Sequence, residues 1–516
     1  MFDLAIVGSG FAGSLMAMIA QRLGRSVLLI ERGRHPRFAI GESSTPLANL
    51  LLEELATRYD LPMLLPLTKW GTWQRAHPEI ACGLKRGFSF FHHRTAEPWT
   101  GDPDHEDQLL VGASPNEEIA DTHWYRAEFD EFFAHTAADL GVTYVEEMEL
   151  DELSNTGSGI HLGGARHGSR TGFAARFLFD ATGPRAFLHR ALKIPEVPMP
   201  NLPETEGLYA HFSGVRRFAD TAPEAFEGTP YAIDDAAVHH VFEGGWVWVL
   251  RFNNGLTSAG VAATRSRARV WSLERGEPAW TQILQEFPSV GLQFHAARAV
   301  TPFHHSARLA YRSGCWAGER WCQLPSASGF IDPLLSTGFP LTLLGIHRMA
   351  EAINEDWGTN RFAFRVREIS LQNEADFLAA EQLVAALYAQ MHDFPIFRAL
   401  TLLYFAAASF NESARRLGRV DLKQGFLLRE DPQFGKGLTE LCSRAISGIN
   451  SADRRRFIDE ITAFIEPINV AGLGRKDRRH WYPADPRDLL DSAAKLGASR
   501  ADVTEMLRRV MACPVT

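Results

Sequence analysis

The chain has 516 residues, 45% of them hydrophobic and 22% charged, with a formal net charge of −9. That length exceeds what one hydrophobic core supports and calls for two or three packed units, while the acidic balance excludes a general nucleic-acid binder, since nothing in it would neutralise a phosphate backbone. The five cysteines (Cys82, Cys315, Cys322, Cys442, Cys513) include no C-x-x-C pair, which excludes a disulfide framework and a zinc site and suits a reducing compartment.

In chain order, Asp3–Val7 is a short branched apolar run, the mark of a buried parallel strand. It leads into Gly8-Ser9-Gly10-Phe11-Ala12-Gly13, then a helical stretch from Ser14 to about Leu23, then a second strand from Ser26 to Ile30 that ends at Glu31 and Arg32. In such a G-x-G-x-x-G turn one glycine permits the tight bend, one lets the backbone approach a diphosphate, and one lets helix pack on strand. The diphosphate sits at the helix N-terminus, where free N–H groups favour negative charge. Glu31, with Arg32 beside it, lies where a carboxylate accepts hydrogen bonds from a ribose. The first strand begins so early that no room is left for a leader, so a cytoplasmic protein is expected. The histidine pairs His92-His93, His239-His240 and His304-His305 predict no metal site, because neighbours in a strand point to opposite faces. Ala399–Phe410, the longest apolar stretch, is too short to span a bilayer and predicts a buried helix.

Whether the dinucleotide is NAD or FAD depends on two later segments. Phe177–Gly183 closes on Asp180-Ala181-Thr182-Gly183 and resembles the D-A-S/T-G segment of FAD-dependent oxygenases. Tyr125-Arg126-Ala127-Glu128-Phe129-Asp130 resembles their R-x-x-F-D helix start, whose arginine lies beside the flavin. Both imply FAD, with Thr182, Gly183 and Arg126 at the cofactor, although Arg126 also reads as a surface helix arginine.

Three further segments resemble the flavin-dependent halogenases. Ile40–Pro46 is similar to their G-E-S/A-x-x-P loop, with Glu42, Ser43 and Ser44 near the flavin. Gly245–Leu250 resembles the start of W-x-W-x-I-P, and Gly329–Gly338 resembles G-F-x-D/E-P-x-x-S-x-G. The resemblance implies that reduced FAD and O2 form a hydroperoxide that a halide, chloride or bromide, attacks. Hypohalous acid then moves to a lysine that halogenates an electron-rich ring. It places Gly329, Asp332 and Gly338 at the cofactor and the halide on Ser336, Thr337 and Gly338, where backbone N–H groups hold an anion without trapping it. Lys85, in Lys85-Arg86-Gly87-Phe88-Ser89-Phe90, matches the K-x-G-x-x-F context of the family lysine, with Lys69 as the alternative. Trp246 and Trp248 alternate with valines and face one side of a strand, as a wall between substrate and flavin or as core packing.

The chain departs from the pattern in three places. The second motif continues Leu250-Arg251 where the family has I-P. No aspartate precedes the helix loop to bond the ribityl chain, leaving Ser326 as a weaker donor. Leu335 stands where tryptophan halogenases carry glutamate, which favours phenol or pyrrole substrates over free tryptophan. The expected fold class is α/β, a Rossmann-like FAD-binding domain (1–60, 105–190 and 300–375) with an inserted β-sheet substrate domain (61–104 and 191–299) and a C-terminal helical region (375–516). In that last region Leu378, Leu383, Leu387 and Met391 recur at helical spacing. Phe90, Trp246, Trp248 and Arg251 are expected to line the pocket of an aromatic substrate, free or carrier-tethered, and a separate flavin reductase is the expected partner. A single-component FAD-dependent monooxygenase or reductase, or a non-catalytic flavin-binding protein, are the alternatives.

Overall fold

A computed structural model describes residues 1–157, 159–185, 187–419 and 425–511; Cys513 lies outside them. The N-terminal apolar run forms the strand Phe2–Val7, with Leu4, Ala5 and Ile6 completely buried. It pairs in parallel with Val27–Ile30 on one side and with the C-terminal half of Ser169–Asp180 on the other. Thr143–Val145 and Trp321–Gln323 extend this parallel sheet at its two ends. The N-terminal half of Ser169–Asp180 turns away to pair antiparallel with Gly159–Arg166, which in turn pairs with Met148–Thr156. One long strand thus serves two sheet modes. Between the first two strands runs the helix Phe11–Arg22, whose first ten residues are all buried.

A second, nine-stranded sheet carries Gly87–His92, Ala237–Phe242, Gly245–Arg251, Leu256–Thr264 and Thr205–Ser213 at its centre. Both of its faces are covered. Trp246, Trp248 and Leu250 pack with the N-terminal parallel sheet and the C-terminal helices, while Val247 and Val249 join a separate core that includes Trp271, Trp280 and Phe287. The strand alternation therefore puts both indoles on one face, as the sequence predicts. A small separate antiparallel pair, Cys82–Lys85 with Asp121–Trp124, sets Lys85 opposite Asp121.

The C-terminal region is helical, and its first helix starts earlier than the periodicity indicates, at Arg361, running to Ala389. Leu383, Leu387 and Met391 are buried in it or just past its end, but Leu378 is 37% exposed. Five residues separate Leu378 from Leu383, which is 500° of helix rotation and off the stripe. The apolar stretch at 399–410 lies within the helix Phe394–Arg416. Among the described residues this is the one helix long and apolar enough to cross a membrane, and 83% of its apolar window is buried inside the protein. Cys82, Cys322 and Cys442 are buried free thiols.

Candidate active site

Two cavities lie on either side of Lys85. The larger, about 460 Å³, opens where the parallel strands end. Gly10–Ala12, the loop 39–43, Arg126, residues 181–185, Ser326, residues 329–333 and residues 336–339 line it, together with Trp246 and Trp248. The smaller, about 210 Å³, is bounded by Thr45, Asn49, Phe88, Asp121 and Lys69 on one side and by the C-terminal helices on the other, through Tyr404, Phe405 and Arg416.

The glycine turn shapes the floor of the larger cavity. Gly8 takes φ +98°, and a Cβ on Gly13 would stand 1.9 Å from the Gly8 carbonyl oxygen, so helix and strand meet at a distance that excludes any side chain. Glu31 is fully engaged within its own turn. Its Oε2 accepts from the Ser9 N–H (3.0 Å), the Ser9 hydroxyl (3.1 Å) and Arg37 (3.2 Å), and its Oε1 accepts from the Gly33 N–H (2.9 Å). Burial pushes this carboxyl up, but Arg37 and the two N–H groups outweigh it and hold the group below the usual carboxylate range. Glu31 and Arg32 lie outside the cavity lining, with Arg32 exposed to solvent, and it is Arg37 that reaches the cavity.

Arg126 is a buried clamp rather than a surface residue. Its Nε and Nη2 donate to the two oxygens of Asp130 (2.8 Å each), and its Nη1 donates to the Gly41 carbonyl (2.9 Å). Asp130 in turn accepts from the Phe11 N–H (3.1 Å), which ties the 40–43 loop to the start of the first helix. Beside the clamp, Glu42 is buried and shares a 2.7 Å hydrogen bond with His211. Glu42 Oε2 and Ser326 Oγ are buried atoms without a partner among the described residues, both on residues lining this cavity. A ligand with its own donors and acceptors is needed to satisfy them. Gly183 and Gly338 have open space where a Cβ would stand. These features fit a flavin dinucleotide, and Ser326 offers a hydroxyl where the usual aspartate is missing.

The loop ahead of the helix Gly338–Asp356 passes through left-handed backbone at Leu335 (φ 65°) and Ser336 (φ 54°) before turning right-handed at Thr337. That reversal brings successive N–H groups to one concave side, the form of an anion nest. Asp332 anchors the loop. Its Oδ1 accepts from the Leu334 N–H (3.0 Å) and from Trp246 Nε1 (3.1 Å), and its Oδ2 accepts from the Tyr388 hydroxyl (2.8 Å). Burial pushes this carboxyl up to about 6 against the pull of those donors. Tyr388, in the C-terminal helix, carries no motif, and sequence alone does not connect it with this loop.

Lys85 is completely buried. Its Nζ donates to Ser43 Oγ at 2.9 Å and to the Ser44 carbonyl, and it lies 3.8 Å from the centre of the Phe88 ring. Ser43 lines the larger cavity and Phe88 the smaller, so the ammonium stands in the partition between them. The partition continues as a stack of rings, Phe88, Phe90, His239 and Trp246, with His239 4.3 Å from Phe90 and 5.0 Å from Trp246. Burial pushes the Lys85 ammonium down to about 7 and the Asp121 carboxyl up to about 7, and the attraction between the two opposes both shifts. Lys69, by contrast, lines the smaller cavity and donates to the Val510 carbonyl there at 3.2 Å.

Two expected pocket residues stand elsewhere. Phe90 lines neither cavity: it is sandwiched within the ring stack, and its neighbour two residues earlier, Phe88, meets the smaller cavity instead. Arg251 donates to the carbonyls of Val215 (2.9 Å) and Arg216 and lies outside both cavities, so it closes a turn rather than anchoring a ligand. Trp246 and Trp248 border the cofactor-sized cavity and not the smaller one.

Residues 6–53 match the family model of the NAD(P)-binding Rossmann-like domain. The chain is 31% identical over 418 residues to monodechloroaminopyrrolnitrin halogenase PrnC of Pseudomonas fluorescens, covering 78% of this chain and 70% of that one. This chain belongs to the flavin-dependent halogenases. Tetracycline 7-halogenase of Kitasatospora aureofaciens is 29% identical over 542 residues, spanning 98% of this halogenase and 95% of its relative. The crystal structure of halogenase PltM superposes with a TM-score of 0.83 at 25% identity, over 93% of this halogenase and 99% of PltM. A second PltM structure, in complex with phloroglucinol and FAD, matches with a TM-score of 0.81. This halogenase is accordingly an FAD-dependent oxidoreductase that draws on halide and O2, on the α/β fold its N-terminus indicates.

Proposed function

We propose that this halogenase works in the cytoplasm on FAD reduced by a separate flavin reductase, and transfers chlorine or bromine to an electron-rich ring bound in the smaller cavity. The observation that carries this reading is the position of Lys85, hydrogen-bonded to a residue of one cavity and packed on a ring of the other. When bound, reduced FAD supplies, with O2, the oxidising power that turns halide into hypohalous acid. The chain does the rest. Backbone N–H groups at Gly10–Ala12 hold the diphosphate at the helix N-terminus, the Arg126–Asp130 clamp fixes the 40–43 loop, and Ser326 donates to the cofactor's sugar chain. Ser336, Thr337 and Gly338 hold the halide in the nest. Trp246 and Trp248 keep the organic substrate away from the cofactor. Hypohalous acid passes Ser43 and is met by Lys85, whose one remaining N–H proton holds its oxygen and orients its halogen toward the ring.

The relatives support an aromatic substrate. PrnC is named for monodechloroaminopyrrolnitrin, other relatives of 23% and 24% identity for a pyrrole-2-carbonyl group on a peptidyl carrier protein, and PltM is seen with phloroglucinol. A phenol, pyrrole or indole is therefore the substrate type, free or carrier-bound. Leu335, buried and apolar where tryptophan halogenases carry a glutamate, favours a ring that activates itself.

Supplied with FAD, a flavin reductase, NADH and bromide, the protein is expected to brominate members of a panel of phenols, pyrroles and indoles, read by product mass. A panel that gains only oxygen, or remains unchanged, overturns the reading. Ser326→Ala is expected to weaken FAD binding about fivefold, the loss of roughly 1 kcal/mol of hydrogen bonding. It should leave the melting temperature of the apoprotein unmoved, since its hydroxyl has no partner among the described residues. A fluorescence titration that returns the wild-type dissociation constant removes Ser326 from the site.

A further inference from the structure

The smaller cavity holds a polar feature that the reading above does not use. Asp121 is 6% exposed and lines this cavity. Its Oδ1 accepts from Asn49 Nδ2 at 2.8 Å, which also fixes the orientation of the Asn49 amide, whose Oδ1 is thereby left as an acceptor. Both Asp121 Oδ2 and Asn49 Oδ1 are buried with no donor among the described residues. Two neighbouring acceptors without donors among the described residues, in a cavity that Phe88, Tyr404 and Phe405 also line, select a ligand that brings its own O–H or N–H. Strand pairing sets Asp121 directly across from Lys85, the group that meets the halogen.

We propose that Asp121 is a substrate-binding catalytic carboxylate, and that the substrates of this halogenase are phenols whose O–H is donated to Asp121 Oδ2 while Lys85 presents the hypohalous acid. The inference rests on the proposed function and adds to it the substrate class and a proton acceptor. A phenol suits this pair better than a pyrrole or indole, because its proton lies within reach of a carboxyl raised by burial, whereas a ring N–H is far less acidic.

The chemistry balances within the pair. The ring carbon forms its bond to the halogen as the O–X bond of hypohalous acid breaks, and the electron pair leaves on oxygen. That oxygen takes a proton from the Lys85 ammonium and departs as water. The phenol proton passes to Asp121, so the intermediate is a neutral halogenated dienone and not a cation in a buried site. The Lys85 amine then removes the ring proton, and the substrate oxygen recovers its proton from Asp121. One phenol and one hypohalous acid give one halophenol and one water, with both residues restored.

The groups facing Asp121 are Lys85 on the paired strand, Asn49 on the helix Pro46–Arg58, and Tyr404, Glu412 and Arg416 on the helix Phe394–Arg416. Arg416 is paired with Glu412 at 2.8 Å, which leaves Lys85 as its unshared cationic neighbour.

The test compares a phenol with its O-methyl ether in the wild-type holoenzyme and in Asp121→Asn, with bromide, a flavin reductase and NADH. Each rate ratio is divided by the ratio found with free hypobromous acid. A site built for a substrate hydroxyl rejects the analogue lacking it by roughly 10²-fold or more, so the wild type should favour the phenol to that degree. Asp121→Asn should lose the preference and the acidic limb of the pH–rate profile. A wild type that treats phenol and ether alike overturns the inference without recourse to the variant, as does an Asp121→Asn enzyme that keeps the preference. A wild type that brominates no ring of the wider panel overturns instead the proposed function on which the inference stands.

Discussion

Lys85→Met is expected to lower halogenated product by about 10³-fold or more, the scale on which loss of a preorganised charged group acts in a buried site. Methionine fills the volume of the lysine stem without its charge, so the cavity walls should hold. Ser43 Oγ and the Ser44 carbonyl lose their donor, and Asp121 loses its cationic neighbour and becomes protonated. FAD binding should change by less than about threefold, because Lys85 is not among the residues lining the cofactor cavity. Lys69→Ala should cost little, since its Nζ meets a backbone carbonyl of the smaller cavity. A Lys85→Met enzyme as active as the wild type, with the loss found in Lys69→Ala instead, would transfer the role to Lys69. The pH dependence follows from the same pair. The Lys85 ammonium, pushed down to about 7, is lost as pH rises through that value, and the Asp121 carboxylate, pushed up to about 7, is lost as pH falls through it. His123 and His239 also face Lys85, but burial keeps both neutral, with His239 pushed down to about 3. Product formation should therefore peak in a narrow range around neutrality and fall on both sides.

Gly13→Ala should abolish measurable FAD binding. The new methyl would stand 1.9 Å from the Gly8 carbonyl oxygen and 3.1 Å from Ala181 Cβ. Neither neighbour is the end of a flexible chain, so helix and strand must separate. Alanine gains about 1 kcal/mol of helix propensity over glycine, but overpacking of this kind costs about 1–3 kcal/mol or more. The shift falls on Gly10–Ala12, where the cofactor's diphosphate is expected to sit. Thermal unfolding with and without FAD reads both effects. The variant should melt below the wild type, and the rise in melting temperature on adding FAD should vanish. A preserved FAD-dependent rise would mean that the turn tolerates a methyl group and that its glycine answers to something other than close packing.

Much of this protein was legible before any coordinates. The glycine turn, the strand and helix on either side of it and the loops at 40–46, 180–183 and 329–338 are local patterns. A bend, a close approach or a helix start is dictated by residues a few positions apart. The alternation of Trp246 and Trp248 likewise sorted them onto one face. Other assignments needed residues far apart in sequence to meet. Phe88 and Phe90 look equivalent in the chain, and only the helix Phe394–Arg416 packing over the sheet determines which one meets a cavity. Arg251 reads as an anchor until the carbonyls of Val215 and Arg216 are found at its guanidinium. Tyr388 and Asp332, 56 residues apart, form one hydrogen bond.

Sequence by itself determined the nucleotide fold and the family and put Lys85 forward as the candidate lysine, with Lys69 as its alternative, because these depend on short-range stereochemistry written in a few neighbouring residues. Tertiary structure decided where that lysine stands, which carboxylate faces it, and which polar atoms are left for a ligand. Burial and pairing are properties of surfaces brought together from distant segments, and no run of residues specifies its own dielectric surroundings.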